Sequence, residues 1–205
     1  MNDNAEYRLL TLADVEEAAQ VISGAFQHDP LIAFMLPFKS TRIRTLLKFF
    51  RPYGEINIKQ GRGYGVGRPL QGVAYWEFPA QASMSISLRS PGKFLPLLFT
   101  MFPIGFLRAR AVIEKTDALH RKYAGEPHYY LHNLGVLPSA QGKGYSSKLL
   151  RPVLEQADAQ HVMAYTDTAS PANVPFYEHF GFQCVEASPI PGTGITVFAV
   201  RRPAH

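Results

Sequence analysis

One continuous stretch in the second half of the chain, residues 129–157, constrains the fold most. It joins an apolar run, a glycine-rich loop and a helical pattern. The apolar run Tyr129–Val136 predicts a buried strand, and Leu137–Ala140 predicts a turn. After the loop, apolar side chains recur at positions 149, 150, 153, 154 and 157, which is the spacing of one helix face. The stretch therefore predicts strand, loop and helix in that order.

The loop Gln141–Ser146 has the features of an anion site. The first backbone N–H groups of a helix lack partners within the helix, and the helix dipole adds partial positive charge there. Gly142 and Gly144 have no Cβ, so a ligand can approach the backbone closely, and Lys143 adds charge. The loop therefore predicts a phosphate-binding site.

Two common phosphate motifs do not fit this loop. The P-loop pattern fails because Gly135 lies too far from Gly142, and because the residue after the lysine is glycine. The dinucleotide fingerprint needs a third glycine where the chain has Ser147, although Asp167 is acceptable as its ribose-binding acid.

A third pattern fits better. Gln141-x-x-Gly144-x-Ser146, after a strand that ends in Gly-Val-x-Pro, resembles the pyrophosphate loop of the GNAT superfamily of N-acetyltransferases. In that family the loop has Gln or Arg, two residues, Gly, one residue, then Gly or Ala. Ser146 departs from the last position, but Ser is little larger than Ala, and its hydroxyl could bond a phosphate oxygen.

A second match follows at the distance that the family requires. Asn173, three residues, then Tyr177-Glu178-x-x-Gly181-Phe182 resembles the family's short helix beside the coenzyme thiol. The resemblance is firm over residues 129–183 and loose over 6–80, and no motif covers 81–128. Within the superfamily, residues 130–183 most resemble the puromycin N-acetyltransferases.

The resemblance implies an α/β fold, the GNAT fold. Its mixed, mostly antiparallel central sheet splays at the coenzyme site and carries helices on both faces. It also implies acetyl transfer from acetyl-CoA, by direct attack, to a primary amine of a small molecule, without a metal. Tyr177 matches the family's general acid, because a phenol is protonated at neutral pH and can donate to the leaving thiolate. The coenzyme-binding residues so implied are Leu134, Gly135, Val136, Gln141, Gly142, Lys143, Gly144, Tyr145, Ser146, Asn173 and Phe176.

The sequence leaves the identity of the base that takes the proton of the amine undecided. His132 has a suitable intrinsic pKa, and strict alternation along the strand would place it on the face opposite Asn133. Glu77, on a strand with Tyr75 on the same face, and Asp167 are carboxylate candidates, and a water relay is the alternative. Cys184 is rejected as a nucleophile because no partner stands at motif spacing.

The acceptor side of the site is less defined. The resemblance implies that the first helix and its following loop form one wall, with His28 and Asp29 as contacts. Residues 81–128 are expected to be a family-variable helical segment that forms another wall. Within them, the apolar stretch 94–107 is either core or a lid over the acceptor.

Composition excludes several other classes. The chain has 205 residues with 46% hydrophobic and 18% charged content, which predicts a single globular domain over 1–205. No apolar segment is long enough to span a membrane, there is no signal peptide, and one cysteine allows no internal disulfide, so we expect a cytoplasmic protein. The net charge is +5, but the basic residues are scattered along the chain, which disfavours nucleic acid as a partner.

The remaining elements are predicted from periodicity and breakers. They are a strand at 7–10, a helix capped by Thr11 that ends near Pro30, a helix from Ser40 or Thr41 to about Arg51, a strand before a turn at 67–72, a strand at 73–78, a helix at 107–123 and a last strand at 194–201.

Two other functions remain open from the sequence. The acceptor could be an amine of a protein or peptide, which an open groove would favour. The chain could also bind acyl-CoA without transferring it, as a sensor or sequestering module. A homodimer is expected because dimers are common in the family.

Overall fold

The computed structural model describes residues 6–79, 104–125 and 127–204. Its strands are β1 (Tyr7–Leu9), β2 (Gly63–Val66), β3 (Gly72–Glu77), β4 (Tyr129–Val136), β5 (Ala164–Thr168), β6 (Gln183–Ile190) and β7 (Ile195–Arg202). Its α-helices are α1 (Val15–Phe26), α2 (Pro30–Met35), α3 (Lys39–Lys59), α4 (Ile104–Tyr123), α5 (Tyr145–Ala159) and α6 (Asn173–Glu178).

The strands form one seven-stranded sheet in the order β1-β2-β3-β4-β5-β7-β6. Every neighbouring pair is antiparallel except β4 and β5, which are parallel. Those two strands pair only at Tyr129 with Ala164 and at Tyr130 with Tyr165, so their later residues diverge. The predicted mixed, mostly antiparallel and splayed sheet is confirmed.

Helices cover both faces of this sheet. On one face, α1 and α3 pack on β3 through a core that includes Ile22, Phe50 and Tyr75. Farther along the same face, α4 packs on β5 and β7. On the opposite face, α5 packs on β3 and β4, and its core includes Trp76 and Leu131. We call these the α1 face and the α5 face.

The start of the first helix follows the prediction. The backbone N–H of Thr11 donates to Asp14 Oδ2 at 2.8 Å, which is the acidic half of a capping box, and a short 3₁₀ turn leads into α1. α1 ends at Phe26, four residues before Pro30, and Asp29 then caps α2.

The predicted end of the second long helix at Arg51 is wrong. α3 runs through Pro52 to Lys59, although an interior proline lacks the N–H of one helical hydrogen bond. Aromatic side chains from both sides of the proline contact one another, with Phe50 and Tyr53 rings 5.9 Å apart. Burial of this cluster offsets the cost of the missing hydrogen bond.

The apolar stretch 94–107 is described only in part, because residues 94–103 lie outside the described ranges. Residues 104–107 form the first turn of α4, and Phe106 and Leu107 are exposed there. In the described parts of the chain, no helix has both the length and the apolar character needed to cross a membrane.

Candidate active site

The diverging ends of β4 and β5 open onto a cavity of about 400 Å³. Four parts of the chain line it: the turn between α1 and α2, the end of β4, the glycine-rich loop and α6. The lining residues are Ala25, Phe26, His28, Asp29, Pro30, Leu134, Gly135, Val136, Gln141, Ser146, Ser170, Asn173, Phe176 and Tyr177. The structure thus brings the two sequence motifs to one cavity.

The glycine-rich loop has a backbone that only glycine adopts readily. Gly142 and Gly144 have φ values of 75° and 77°, in the left-handed region. A Cβ on either residue would meet nothing within 4 Å, so the space beside both is open. α5 begins directly after Gly144, and no side chain caps it. Its first N–H groups therefore remain available for an anion.

The predicted loop residues divide into two groups. Gln141 and Ser146 line the cavity, and Gln141 Nε2 also donates to the carbonyl of Val136 at 3.4 Å, which closes the loop against the strand. Lys143 is exposed and does not line this cavity, and Tyr145 packs against the core of the α5 face.

Gly135 allows α1 to lie directly on β4. A Cβ at this position would lie 2.9 Å from the Cβ of Ala25 and 3.0 Å from Ile22 Cδ1. Contacts this short do not occur, so a side chain at Gly135 would push α1 away from the strand. The glycine therefore fixes the distance between the two walls of the cavity.

Tyr177 lies on α6 and is 7% exposed. Burial raises the pKa of its phenol above the usual value, although a side-chain hydrogen bond with Thr166 opposes this. The phenol is therefore a protonated donor at neutral pH. Asn173 Nδ2 donates to Thr168 Oγ1 at 3.0 Å, so Asn173 holds the turn between β5 and α6 while lining the cavity.

Glu77 and His132 form a hydrogen-bonded pair on neighbouring strands. Glu77 Oε2 lies 2.8 Å from His132 Nε2, and Glu77 is 6% exposed. Glu77 shares the α1 face with Tyr75, opposite Trp76, as alternation predicted. Arg62, which is 3% exposed, places Nη2 3.8 Å from Glu77 Oε1.

The prediction that His132 and Asn133 lie on opposite faces is wrong. Trp76 pairs with Leu131 and Tyr75 pairs with Asn133, so His132 is an extra residue in a β-bulge. Asn133 shares the face of its partner Tyr75, and His132 contacts Glu77 on that same face. The bulge therefore directs two consecutive polar side chains to the α1 face, where strict alternation would allow one.

Two carboxyl groups near the cavity and the Glu77–His132 pair have raised pKa values. Asp29 Oδ1 accepts from the N–H groups of Leu31 and Ile32 at 2.9 and 3.1 Å, and burial raises its pKa above the usual value. Asp167 Oδ2 accepts from the Tyr130 hydroxyl at 3.0 Å, and burial raises its pKa as well, with the charge of Asp29 adding to the effect.

Sequence reasoning missed a cluster of aromatic and imidazole rings on α4 and β4. The ring of Tyr130 lies 4.0 Å from that of His132 and 4.3 Å from that of His120, between centroids. His120 Nε2 lies 2.7 Å from His128 Nε2, and burial lowers the pKa of His120 to about 4. His128, Tyr130 and His132 stand at every second position, which is the only signal in the sequence, whereas His120 joins them only through the packing of α4.

A metal centre is not evident in what the structure describes. Across residues 6–79, 104–125 and 127–204, no group of three or more His, Cys, Asp or Glu side chains could hold a metal ion. Cys184 is an exposed free thiol on β6.

A sheet that splays beside a glycine-rich turn into a helix defines a class of α/β acyltransferases. The sequence profile described as "Acetyltransferase (GNAT) family" matches residues 73–182. The chain belongs to this family of acetyltransferases.

A curated relative covers a shorter part of the chain. A Schizosaccharomyces pombe protein named as an uncharacterized N-acetyltransferase is 35% identical over 71 residues, which is 35% of this chain. The match spans 29% of the length of that relative.

Solved structures share the whole fold. A Corynebacterium glutamicum protein, named as histone acetyltransferase HPA2 and related acetyltransferase, has a TM-score of 0.69 at 21% identity, over 98% of this chain and 97% of that one. Arylalkylamine N-acetyltransferase 2 of Aedes aegypti has a TM-score of 0.64 at 11% identity, over 99% and 100% of the two chains.

Proposed function

We propose that this protein transfers the acetyl group of acetyl-CoA to a primary amine of a small molecule. The observation that carries the proposal is the cavity at the diverging ends of β4 and β5. It joins the coenzyme-type loop, through Gln141 and Ser146, to the phenol of Tyr177.

The coenzyme is held through backbone groups in this proposal. The open space beside Gly142 and Gly144 admits the pyrophosphate, and the uncapped first turn of α5 offers N–H groups to it. Leu134, Gly135 and Val136 line the route of the pantetheine arm along β4, together with Asn173 and Phe176.

The reaction is a direct attack. A free alkylamine is protonated at neutral pH, because its pKa is near 10.4, so it must lose a proton before it attacks. The His132 imidazole, in its hydrogen bond with Glu77, accepts that proton in our proposal. The amine nitrogen bonds to the thioester carbon, a backbone N–H near Val136 stabilises the oxyanion, and the C–S bond breaks. The nitrogen releases its second proton to water, from which Tyr177 later regains the proton that it donates. Tyr177 then gives its proton to the departing thiolate.

The cavity supports a small acceptor. A volume of about 400 Å³ is in the range of pockets that enclose small ligands, and it includes the coenzyme's reactive arm. Asp29 lines the cavity, and a carboxyl group there suits an amine that arrives as a cation. The Aedes aegypti protein is named for arylalkylamines, so these amines come first in a substrate panel.

Other parts of the proposal rest on the sequence. They are a cytoplasmic location, action without a metal, assembly as a homodimer and similarity to the puromycin N-acetyltransferases. Puromycin therefore also belongs in the panel of amines.

Calorimetric titration with acetyl-CoA, and with CoA and ATP as controls, tests the coenzyme. We expect micromolar binding of acetyl-CoA and CoA and weak binding of ATP. An assay of thiol release with arylalkylamines, diamines and puromycin then tests transfer. Binding without transfer to any amine would favour the sensor function, transfer only to peptides would favour a protein substrate, and absence of CoA binding would refute the proposal.

A further inference from the structure

Arg62 is a buried cation whose backbone is fixed on both sides. It lies between the end of α3 and the start of β2 and is 3% exposed. Its N–H donates to the carbonyl of Asn57 at 2.9 Å, and its own carbonyl accepts from the N–H of Trp76 at 2.9 Å. The two bonds tie Arg62 to the last turn of α3 and to the strand that carries Glu77. The guanidinium is therefore placed beside Glu77 by the frame of the fold.

The guanidinium, the carboxylate and the imidazole form a row. Arg62 Nη2 lies 3.8 Å from Glu77 Oε1, and Glu77 Oε2 lies 2.8 Å from His132 Nε2. Exposure increases along the row, from 3% for Arg62 and 6% for Glu77 to 22% for the side chain of His132. Only the imidazole is thus accessible from outside the row.

Other titratable groups approach the row from each described element that packs against it. They are Tyr53 from α3, His120 from α4, Tyr130 from β4 and Asp167 from β5. Among these, the nearest ring to His132 is that of Tyr130, at 4.0 Å between centroids.

We propose that Arg62 is a positioning residue for the base: its buried charge keeps Glu77 ionised and thereby keeps His132 ready to accept the proton of the amine. This inference rests on the proposed function, in which the Glu77–His132 pair is the base. Arg62 does not line the cavity, so in this proposal it acts through Glu77.

The direction of the effect follows from charge. When the pair is ready to act, Glu77 is ionised and His132 is neutral, so the pair carries one negative charge. When it holds a proton, its net charge is zero. A cation beside it stabilises the charged form and therefore lowers the pH at which the pair takes up its proton. Removal of the cation raises that pH.

The test compares Arg62→Met with Arg62→Lys, which keeps the charge, in the pH profile of kcat/KM. We expect the acid limb of Arg62→Met to move to higher pH by about one unit, which is about a tenfold loss of kcat/KM below the limb. Arg62→Lys should retain most of the wild-type profile. Glu77→Gln should move the limb the other way. Should Arg62→Met not fold, Arg62→Gln, which keeps a hydrogen-bonding amide, takes its place.

A second readout separates this inference from the proposed function. NMR titration of the His132 imidazole follows its protonation without any substrate. A higher titration midpoint in Arg62→Met, unchanged in Arg62→Lys, supports the inference even if no amine is acetylated. An unchanged or lower midpoint overturns it, even if the protein proves to be an active acetyltransferase. If His132→Gln and Glu77→Gln leave turnover intact, the proposed base fails, and the NMR result alone decides the part that Arg62 plays.

Discussion

In the proposed reaction, Tyr177 acts on the leaving group and does not hold the coenzyme. Its phenol lines the cavity from α6, whereas the loop that would bind the pyrophosphate lies between β4 and α5. Its raised pKa keeps the proton on the phenol throughout the neutral range. The proposed function therefore assigns coenzyme binding and proton donation to different residues, and substitution can separate the two.

Tyr177→Phe removes the hydroxyl and keeps the ring. We expect turnover to fall by about 10²-fold or more, because a positioned acid contributes this much. The Kd for acetyl-CoA should change little, since the ring that packs beside Phe182 is kept. Calorimetry and steady-state kinetics measure the two quantities. Lost affinity with intact turnover of the bound complex would make Tyr177 a packing residue instead.

Gly135→Ala should destabilise the protein by about 1–3 kcal/mol, because the new methyl group meets Ala25 and Ile22 at 3.0 Å or less. Gly24→Ala is the matched control on the facing helix, where a Cβ would meet only the flexible Leu137 side chain, at 3.3 Å, among the described residues. Urea unfolding of both variants gives the comparison. Equal stability of the two would show that α1 and β4 are not in close contact.

At the scale of elements, the loop before α5 combines a left-handed glycine backbone with open space beside it. Gly144 adopts a φ of 77° and leaves room beside it. Gly192, in the turn between β6 and β7, has a φ of 74° and the same open surroundings. The two glycines share this backbone and this open space, but only Gly144 lies in the loop proposed to bind the pyrophosphate, so they form a matched pair for comparison.

Gly144→Ala and Gly192→Ala should each lose about 1–2 kcal/mol of stability, the cost of a left-handed backbone for a residue with a Cβ. Only Gly144→Ala should also weaken acetyl-CoA binding, because its methyl group occupies the space proposed for the pyrophosphate. Thermal unfolding and calorimetry measure the two effects. Equal coenzyme affinity in both variants would place the pyrophosphate elsewhere.

Elements with an uninterrupted apolar pattern were predicted closely, and elements held by long-range packing were not. β4 has the predicted bounds because its apolar run ends at a turn. α3 continues past Pro52 because Phe50 packs against Phe26 of α1 and Tyr53 packs against Tyr75 of β3, which a local rule on proline does not include. The bulge at His132 was also missed, since alternation alone gives no sign of an extra residue.

Residues of the site that belong to a sequence motif were predicted, and residues outside any motif were not. Cavity residues that belong to the two motifs, such as Gln141 and Asn173, were identified from the sequence. Arg62 was not, because a single arginine between glycines has no pattern. Its partner Glu77 is a strand away, and the contact exists only once β2 and β3 pair.

For the molecule as a whole, the partly buried imidazole of His120 links stability to pH. Its pKa is lowered to about 4 in the folded protein, from a usual value of 6.5. Between these values the unfolded chain binds more protons at this position than the folded one. The contribution of His120 to the free energy of unfolding is therefore fully present above pH 6.5, and it is lost as the pH falls toward 4.

His120→Phe keeps a ring next to Tyr130 and Tyr165 and removes the titration. We expect the free energy of unfolding to fall less in this variant than in the wild type between pH 7 and pH 5. Asp29 and Asp167, whose raised pKa values act in the opposite direction, are present in both proteins and cancel. Urea unfolding at the two pH values measures this, and parallel losses would contradict the assignment to His120.

The extra residue in β4 has a consequence for how this chain can diverge over generations. Leu131 and Asn133 hold the ladder on either side of it, so His132 can be exchanged without altering which residues pair. Loss of that one residue would remove the bulge and leave the same pairs in a regular ladder, so the later side chains of the strand, including those that line the cavity, would keep their faces. Position 132 can thus change by substitution, or be lost, while the residues of β4 that line the cavity keep their places.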